Sequence, residues 1–193
     1  MNLANKITIA RLLLIPVLIA LIVSYRPEHQ WIRHTAYILF ALMAISDYID
    51  GYIARNYNQQ TRLGTILDPC ADKILINTTY IFLAVNHHLE TPVPGWIPVV
   101  IMLRDVGILG TSLLLNEFRG PIRPIPRILG KLTTWAYAFG VMGVLLQVSF
   151  AHELLILVVV ISMVSAADYA FFGHEKVIDH HPHVEPNTPR EQH

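Results

Sequence analysis

Long apolar runs alternate with short polar connections along the whole chain. Six runs stand out, at about 7–25, 34–55, 64–87, 94–117, 127–150 and 152–173. Each is long enough for a helix that crosses a bilayer core, which takes about 20 residues. The first run, Ile7–Ser24, has the length of a signal peptide. It holds Pro16, lacks a small-residue cleavage site and is followed at once by more spans, so it reads as a retained helix. The connections are short and polar or proline-rich. Arg26–Arg33 carries Pro27 and the amphipathic Trp31, Asn56–Leu63 is polar, Leu89–Val93 leads into Pro94-Gly95, and Phe118–Pro126 holds three prolines. A tight turn is expected around Ala151. The pattern predicts an all-α integral membrane protein with six transmembrane helices. Residues 1–173 form the membrane domain, and 174–193, rich in His and Pro, form a disordered polar tail.

Composition sharpens this picture. Of 193 residues, 53% are hydrophobic and 15% charged, against about 25% charged in soluble domains. Basic and acidic residues balance at 14 each, so no net field draws in a nucleic acid. One cysteine, Cys70, excludes an internal disulfide and a Cys-rich metal site.

The placement of the cations sets the orientation. Lys6, Arg11, Arg55, Arg62, Arg119, Arg123, Arg127, Lys131, Lys176 and Arg190 fall on one side, and only Arg26 and Arg33 on the other. Positive residues mark the cytoplasmic side, so both termini are expected there, as an even number of spans requires. Asp47 and Asp50 then sit at the cytoplasmic end of the second span, and Asp68 and Asp72 at that of the third. A carboxylate inside a bilayer costs about 2.5–3.5 kcal/mol even on insertion scales, which makes four of them a functional signal. Spacings of three and four put each pair on one helix face, and the short link predicts that the two helices are direct neighbours. Four converging carboxylates repel unless a cation joins them. An all-oxygen set without clustered Cys or His suits Mg²⁺ or Mn²⁺, and two ions would neutralise four acids. Paired ions of this kind clamp the attacking and leaving oxygens of phosphoryl transfer. Gly51, Ala54 and Gly64 keep the neighbouring surface small, and Arg55 offers a forked cation for phosphate.

These residues carry a family pattern. The stretch Asp47-x-x-Asp50-Gly51-x-x-Ala54-Arg55, eight residues, Gly64-x-x-x-Asp68-x-x-x-Asp72 resembles the signature of the CDP-alcohol phosphotransferases at all its fixed positions. The resemblance implies an enzyme with its active site at the cytoplasmic interface. Asp47, Asp50 and Asp68 would hold one metal, and Asp47, Asp68 and Asp72 the second. Asp72 would also be the general base on the acceptor hydroxyl. Gly51, Ala54, Arg55, Thr61 and Gly64 would line the cytidine nucleotide site, with Asn5 and Thr8 near its pyrophosphate. CDP-diacylglycerol would be the donor and CMP the leaving group, in a bacterial cytoplasmic membrane and with a homodimer open.

The acceptor is read from other segments. Asn2–Arg11 with Ile15-Pro16, and Leu129-Gly130-Lys131-Leu132-Thr133-Thr134-Trp135, look like the phosphatidylglycerophosphate synthases of this superfamily. That implies glycerol 3-phosphate, with Arg104, Arg127 and Lys131 as candidates for its phosphate. Arg104-Asp105-Val106 and Pro92-Val93-Pro94 are more similar to the cardiolipin synthases, which use phosphatidylglycerol. Both acceptors stay open, the first preferred. A divalent-cation transporter is the remote alternative, but its acids would be spread through the bilayer depth, and the internal repeats usual in transporters are not evident.

Other residues have plainer readings. Arg104 and Asp105 are adjacent, so they do not face each other across a helix turn, and each needs a partner on another helix. Lys73 is expected to snorkel or balance the aspartate cluster, and Cys70 to be packed. His87-His88 and the tail histidines are expected at a solvated surface. Gly107, Gly110, Gly140 and Gly143 offer close helix contacts. Asp168 receives no role.

Overall fold

A computed structural model describes the backbone of residues 3–56, 62–119 and 128–172 and the side chains of 7–46, 70–108, 110–111 and 129–169. Among the described residues the chain is all helix: α1 (Leu3–Ser24), α2 (Gln30–Asn56), α3 (Arg62–Val85), α4 (Trp96–Arg119), α5 (Ile128–Leu146) and α6 (Ala151–Phe172).

The burial pattern explains why these helices assemble. On α1 the buried positions are Thr8, Arg11, Ile15, Leu18 and Ile22, and on α6 they are Ala151, Leu155, Val158, Ser162 and Ser165. Both sets alternate steps of three and four, the stripe that one helix face presents to its neighbours. The other faces are equally apolar yet exposed. Leu13 is 71% open and Val106 63%, and Ile156, Val160 and Val164 form a similar outward row on α6. Apolar side chains on both faces are stable only where the surroundings are also apolar. Among the described residues, three helices are long and apolar enough to cross a membrane: α1 over Ile7–Ser24, α5 over Leu129–Leu146 and α6 over Ala151–Tyr169.

α1 packs on α2 and α3, α5 on α6, α2 and α3, and α4 on α6 and α3. The expected direct pairing of α2 with α3 is not the main contact among the described residues, because each lies chiefly against α1. A short link fixes only where two helices meet at their ends, and α1 supplies the larger matching stripe along their lengths.

A buried polar chain runs through the apolar core. The Tyr80 hydroxyl donates to the Tyr137 carbonyl at 3.0 Å, and the Tyr137 and Ser162 hydroxyls are 2.7 Å apart, tying α3 to α5 and α5 to α6. The two rings meet edge to face with centroids 6.2 Å apart, a favoured aromatic geometry. Gly140 lies between Tyr80 and Val158, and Gly143 against Leu154, so these two glycines serve helix packing. Gly107 and Gly110 face open space instead.

The ends of three elements differ from expectation by four residues. α1 starts at Leu3. α2 starts at Gln30, so Trp31 belongs to its first turn, where a turn from Arg26 to His29 delivers the chain. α5 stops at Leu146, four residues early. The Gln147 amide bonds the Val144 carbonyl at 3.1 Å and the Val148 amide bonds that of Gly143 at 3.2 Å, with Gln147 at φ 53°. This pair of bonds around a left-handed residue is the Schellman stop. The tight turn therefore spans residues 147–150, and Ala151 opens α6.

Candidate active site

α2 ends and α3 begins at the same end of the bundle, joined through residues 57–61. At 1.5 Å per residue, Asp50 and Asp68 each lie about 9 Å along their helices from that link, and Asp47 and Asp72 about 14–15 Å. The four positions thus share one layer of depth. Gly51, Ala54 and Arg55 ride on α2, and Gly64 on α3. The side chains of Asn5, Asp47, Asp50, Arg55 and Asp68 lie outside the described residues, as do Thr61 and Arg127 altogether. Thr8 and Arg11 are both buried on the inner stripe of α1.

Asp72 is described and opens onto a cavity between α3, α4 and α5, lined by Asp72, Lys73, Ile76, Arg104, Asp105, Thr134 and Tyr137. The cavity is organised around Asp105. This carboxylate is 7% exposed. Its Oδ1 accepts the Lys73 ammonium at 2.8 Å and Arg104 Nη1 at 2.8 Å. Its Oδ2 accepts the Asn77 amide at 3.3 Å. Arg104 Nη2 donates to Ser165 Oγ on α6 at 2.9 Å. Two cations sharing one buried carboxylate leave this wall of the cavity positive, a few ångströms along α3 from Asp72. Buried charge is tolerated only when paired and hydrogen-bonded, and Asp105 is both. Two polar atoms of the same group are buried without a partner, Arg104 Nε and Asn77 Oδ1. They are a donor and an acceptor left over beside the cavity.

Arg104 and Asp105, adjacent on α4, nonetheless pair with each other. The rule of facing positions compares Cβ directions, whereas a guanidinium on a long stem folds back to its neighbour's carboxylate. The companion expectation holds: both also have partners on other helices, Lys73 and Asn77 on α3 and Ser165 on α6. Lys73 pairs with Asp105 on α4. Lys131 is exposed on α5, one turn before Thr134 of the cavity wall. Cys70 is exposed and not packed, because it shares the outward face of α3 with Ile74 while Ala71 and Leu75 turn inward. His87 and His88 are exposed as expected.

Sequence reading missed Asn77, Ser165 and Tyr137 as members of this group. A signal existed for two of them. Asn77 stands four residues after Lys73, on the same face, and Ser165 interrupts the inner stripe of an otherwise apolar helix.

Residues 1–166 match the family model for CDP-alcohol phosphatidyltransferases. Curated relatives agree over most of their length. A CDP-diacylglycerol–glycerol-3-phosphate 3-phosphatidyltransferase of Bacillus subtilis (strain 168) is 35% identical over 76% of this chain and 77% of its own. Proteins of the same name from Rickettsia typhi and Aquifex aeolicus are 36% and 32% identical, covering 72% and 86% of this chain and 72% and 88% of theirs. The motif on α2 and α3, the apolar helices and these matches lead to one conclusion: the chain belongs to the CDP-alcohol phosphatidyltransferase family and is a membrane enzyme of phospholipid biosynthesis.

Proposed function

We propose that the enzyme transfers the phosphatidyl group of CDP-diacylglycerol to a hydroxyl of glycerol 3-phosphate and releases CMP. One observation carries the acceptor: Asp72 shares a cavity with the Lys73–Asp105–Arg104 cluster, whose two cations outnumber its one carboxylate. A base and a positive wall side by side suit a hydroxyl that carries its own phosphate. The names of the relatives support the same acceptor.

In this reading Asp72 takes the proton of the acceptor hydroxyl. The freed oxygen forms a bond to the lipid-bound phosphorus, and the bond from that phosphorus to the CMP oxygen breaks. Arg104 lines the cavity and adds a positive charge beside the acceptor phosphate. Thr134 adds a hydroxyl to the wall. Gly51, Ala54 and Gly64 are the small residues assigned to the cytidine group, and Arg55 is the cation assigned to its pyrophosphate. Positioning of this kind accounts for a large part of such rate enhancements.

The family uses divalent ions, and the donor set fits them: four aspartates at one depth on α2 and α3, all hard oxygen ligands. Asp47, Asp50, Asp68 and Asp72 would hold two Mg²⁺ or Mn²⁺ ions, which supply charge neutralisation at the pyrophosphate. All six helices span the bilayer in this reading, with both termini cytoplasmic. α2, α3 and α4 carry more charge than the other three, yet expose Ile38, Leu42, Ile45, Ile74, Val85, Val99 and Met102 outward.

The test is CMP release by purified enzyme given CDP-diacylglycerol and either glycerol 3-phosphate or phosphatidylglycerol. Turnover with the first supports the proposal, and turnover with phosphatidylglycerol alone replaces it with a cardiolipin synthase. Asp72→Asn is expected to abolish turnover while leaving nucleotide binding within a few-fold of wild type. Near-normal rates would remove Asp72 as the base.

A further inference from the structure

Few groups around the Asp72 cavity can give a proton to an anion. Asp72 and Asp105 accept when ionised, and Ile76 is apolar. The Tyr137 hydroxyl is engaged with Ser162 on α6 at 2.7 Å. Thr134 donates its single proton to the Gly130 carbonyl at 3.3 Å. Two cations are left, and they are held differently. Arg104 is fixed at both tips of its fork, with Nη1 2.8 Å from Asp105 Oδ1 and Nη2 donating to Ser165 Oγ at 2.9 Å. Its side chain is 10% exposed, and its Nε is too buried to touch a guest. The Lys73 side chain is 35% exposed and, among the described residues, has one ion-pair partner, Asp105 at 2.8 Å. An ammonium carries three protons, so others face the cavity while one is on Asp105. A flexible four-carbon stem also lets this charge move, unlike a guanidinium tied at both tips.

A movement of Lys73 leaves no bare charge behind. Asp105 keeps Arg104 on Oδ1 at 2.8 Å and Asn77 on Oδ2 at 3.3 Å. Opening a buried ion pair is costly when it strands one partner, and here the second cation prevents that. Asn77 also donates to the Lys73 carbonyl at 2.9 Å, so the lysine's backbone stays tied to the same carboxylate when its side chain turns. A phosphate monoester carries about −1.5 to −2 charges at pH 7. It attracts the ammonium more strongly than a carboxylate already shared with Arg104.

From this we infer that Lys73 is the specificity-determining cation of the acceptor site: its ammonium leaves Asp105 for the phosphate of the incoming alcohol, while Arg104 stays on Asp105. Phosphorylated alcohols are thereby chosen over uncharged ones, and the hydroxyl of the bound alcohol is left beside Asp72, the preceding residue on α3. The inference rests on the acceptor proposed above and assigns its phosphate to one side chain.

The experiment measures CMP release by the purified full-length enzyme with CDP-diacylglycerol and a range of glycerol 3-phosphate, for the wild type, Lys73→Met, Lys73→Gln and Lys73→Arg. Loss of one charge-assisted contact corresponds to about a 10–100-fold change in affinity. Lys73→Met is expected to raise KM for glycerol 3-phosphate by that factor and to leave KM for CDP-diacylglycerol unchanged. Should that variant fail to fold, Lys73→Gln, whose amide can still donate to Asp105, is expected to show the same rise. Lys73→Arg returns a cation and is expected to restore most of the affinity. Inorganic phosphate, as a competitor of glycerol 3-phosphate, should inhibit the wild type and Lys73→Arg and lose most of its effect on the two uncharged variants. An unchanged KM for glycerol 3-phosphate in the uncharged variants, a parallel rise in both KM values, or phosphate inhibition equal to that of the wild type would each overturn the role of Lys73 and leave the acceptor standing. A wild type that transfers nothing to glycerol 3-phosphate would overturn the acceptor and this inference together.

Discussion

Asp105 is the residue on which the polar wall of the active-site cavity depends. Replacing it with Asn keeps the shape but leaves Lys73 and Arg104 facing each other without an anion. Breaking a buried pair costs about 3–5 kcal/mol. Asp105→Asn should therefore lower the melting temperature of the purified enzyme by several degrees and weaken turnover, both measured in one preparation. Ser165 has a narrower role, since it holds only Arg104 Nη2. Loss of one such bond, at about 1–1.5 kcal/mol, corresponds to roughly a 5–10-fold change in affinity. Ser165→Ala is expected to raise KM for glycerol 3-phosphate by that factor while leaving KM for CDP-diacylglycerol unchanged. In an Arg104→Ala background the same change should add nothing, because Ser165 acts through the guanidinium. The placement of the four aspartates at one depth of α2 and α3 was legible from their spacing within the apolar runs. The partners of Asp105 were not. Contacts between α3, α4 and α6 depend on how helices rotate against one another, and a single chain records that only faintly, as a serine on a buried stripe.

Among the elements, α5 shows how packing sets helix contacts. A methyl on Gly140 would run into the Tyr80 hydroxyl and come within 2.9 Å of Val158 Cγ2. Tyr80 is fully buried and held by the Tyr137 carbonyl, so it cannot give way. Gly140→Ala should cost about 1–3 kcal/mol, the usual range for overpacking. Gly143→Ala meets Leu154 Cδ2 at 2.6 Å, the free end of a flexible chain, and should cost clearly less. Thermal melts of the two variants side by side decide this. Gln147→Gly should instead gain about 1 kcal/mol, because glycine takes a left-handed backbone without strain. All six helices were visible in the apolar pattern, within a few residues at most ends. The exceptions have local causes. The Schellman stop at Gln147 uses a residue that carries no glycine signal, and α2 begins early because the turn at Arg26–His29 already points the chain along the helix.

At the scale of the molecule, every helix turns large apolar side chains outward among the described residues, while Arg11, Arg33 and Asp105 are buried inside the bundle. That arrangement fixes a topology test. In a Cys70→Ser background, a cysteine placed at Glu28 should react with a membrane-impermeant maleimide in intact cells, and one at Gln59 only after permeabilisation. The reverse pattern would invert the orientation derived from the cations. The helix-dense division into an apolar coat and a charged interior was evident from composition, but the positive wall beside Asp72 became visible only when α4 was set against α3. Cys70 adds a practical consequence. The protein's sole sulfhydryl stands outward on α3, two residues ahead of Asp72. A nitroxide attached there needs no engineering of the chain, and its resonance line should broaden when paramagnetic manganese is titrated in, turning the native cysteine into a direct gauge of ion loading.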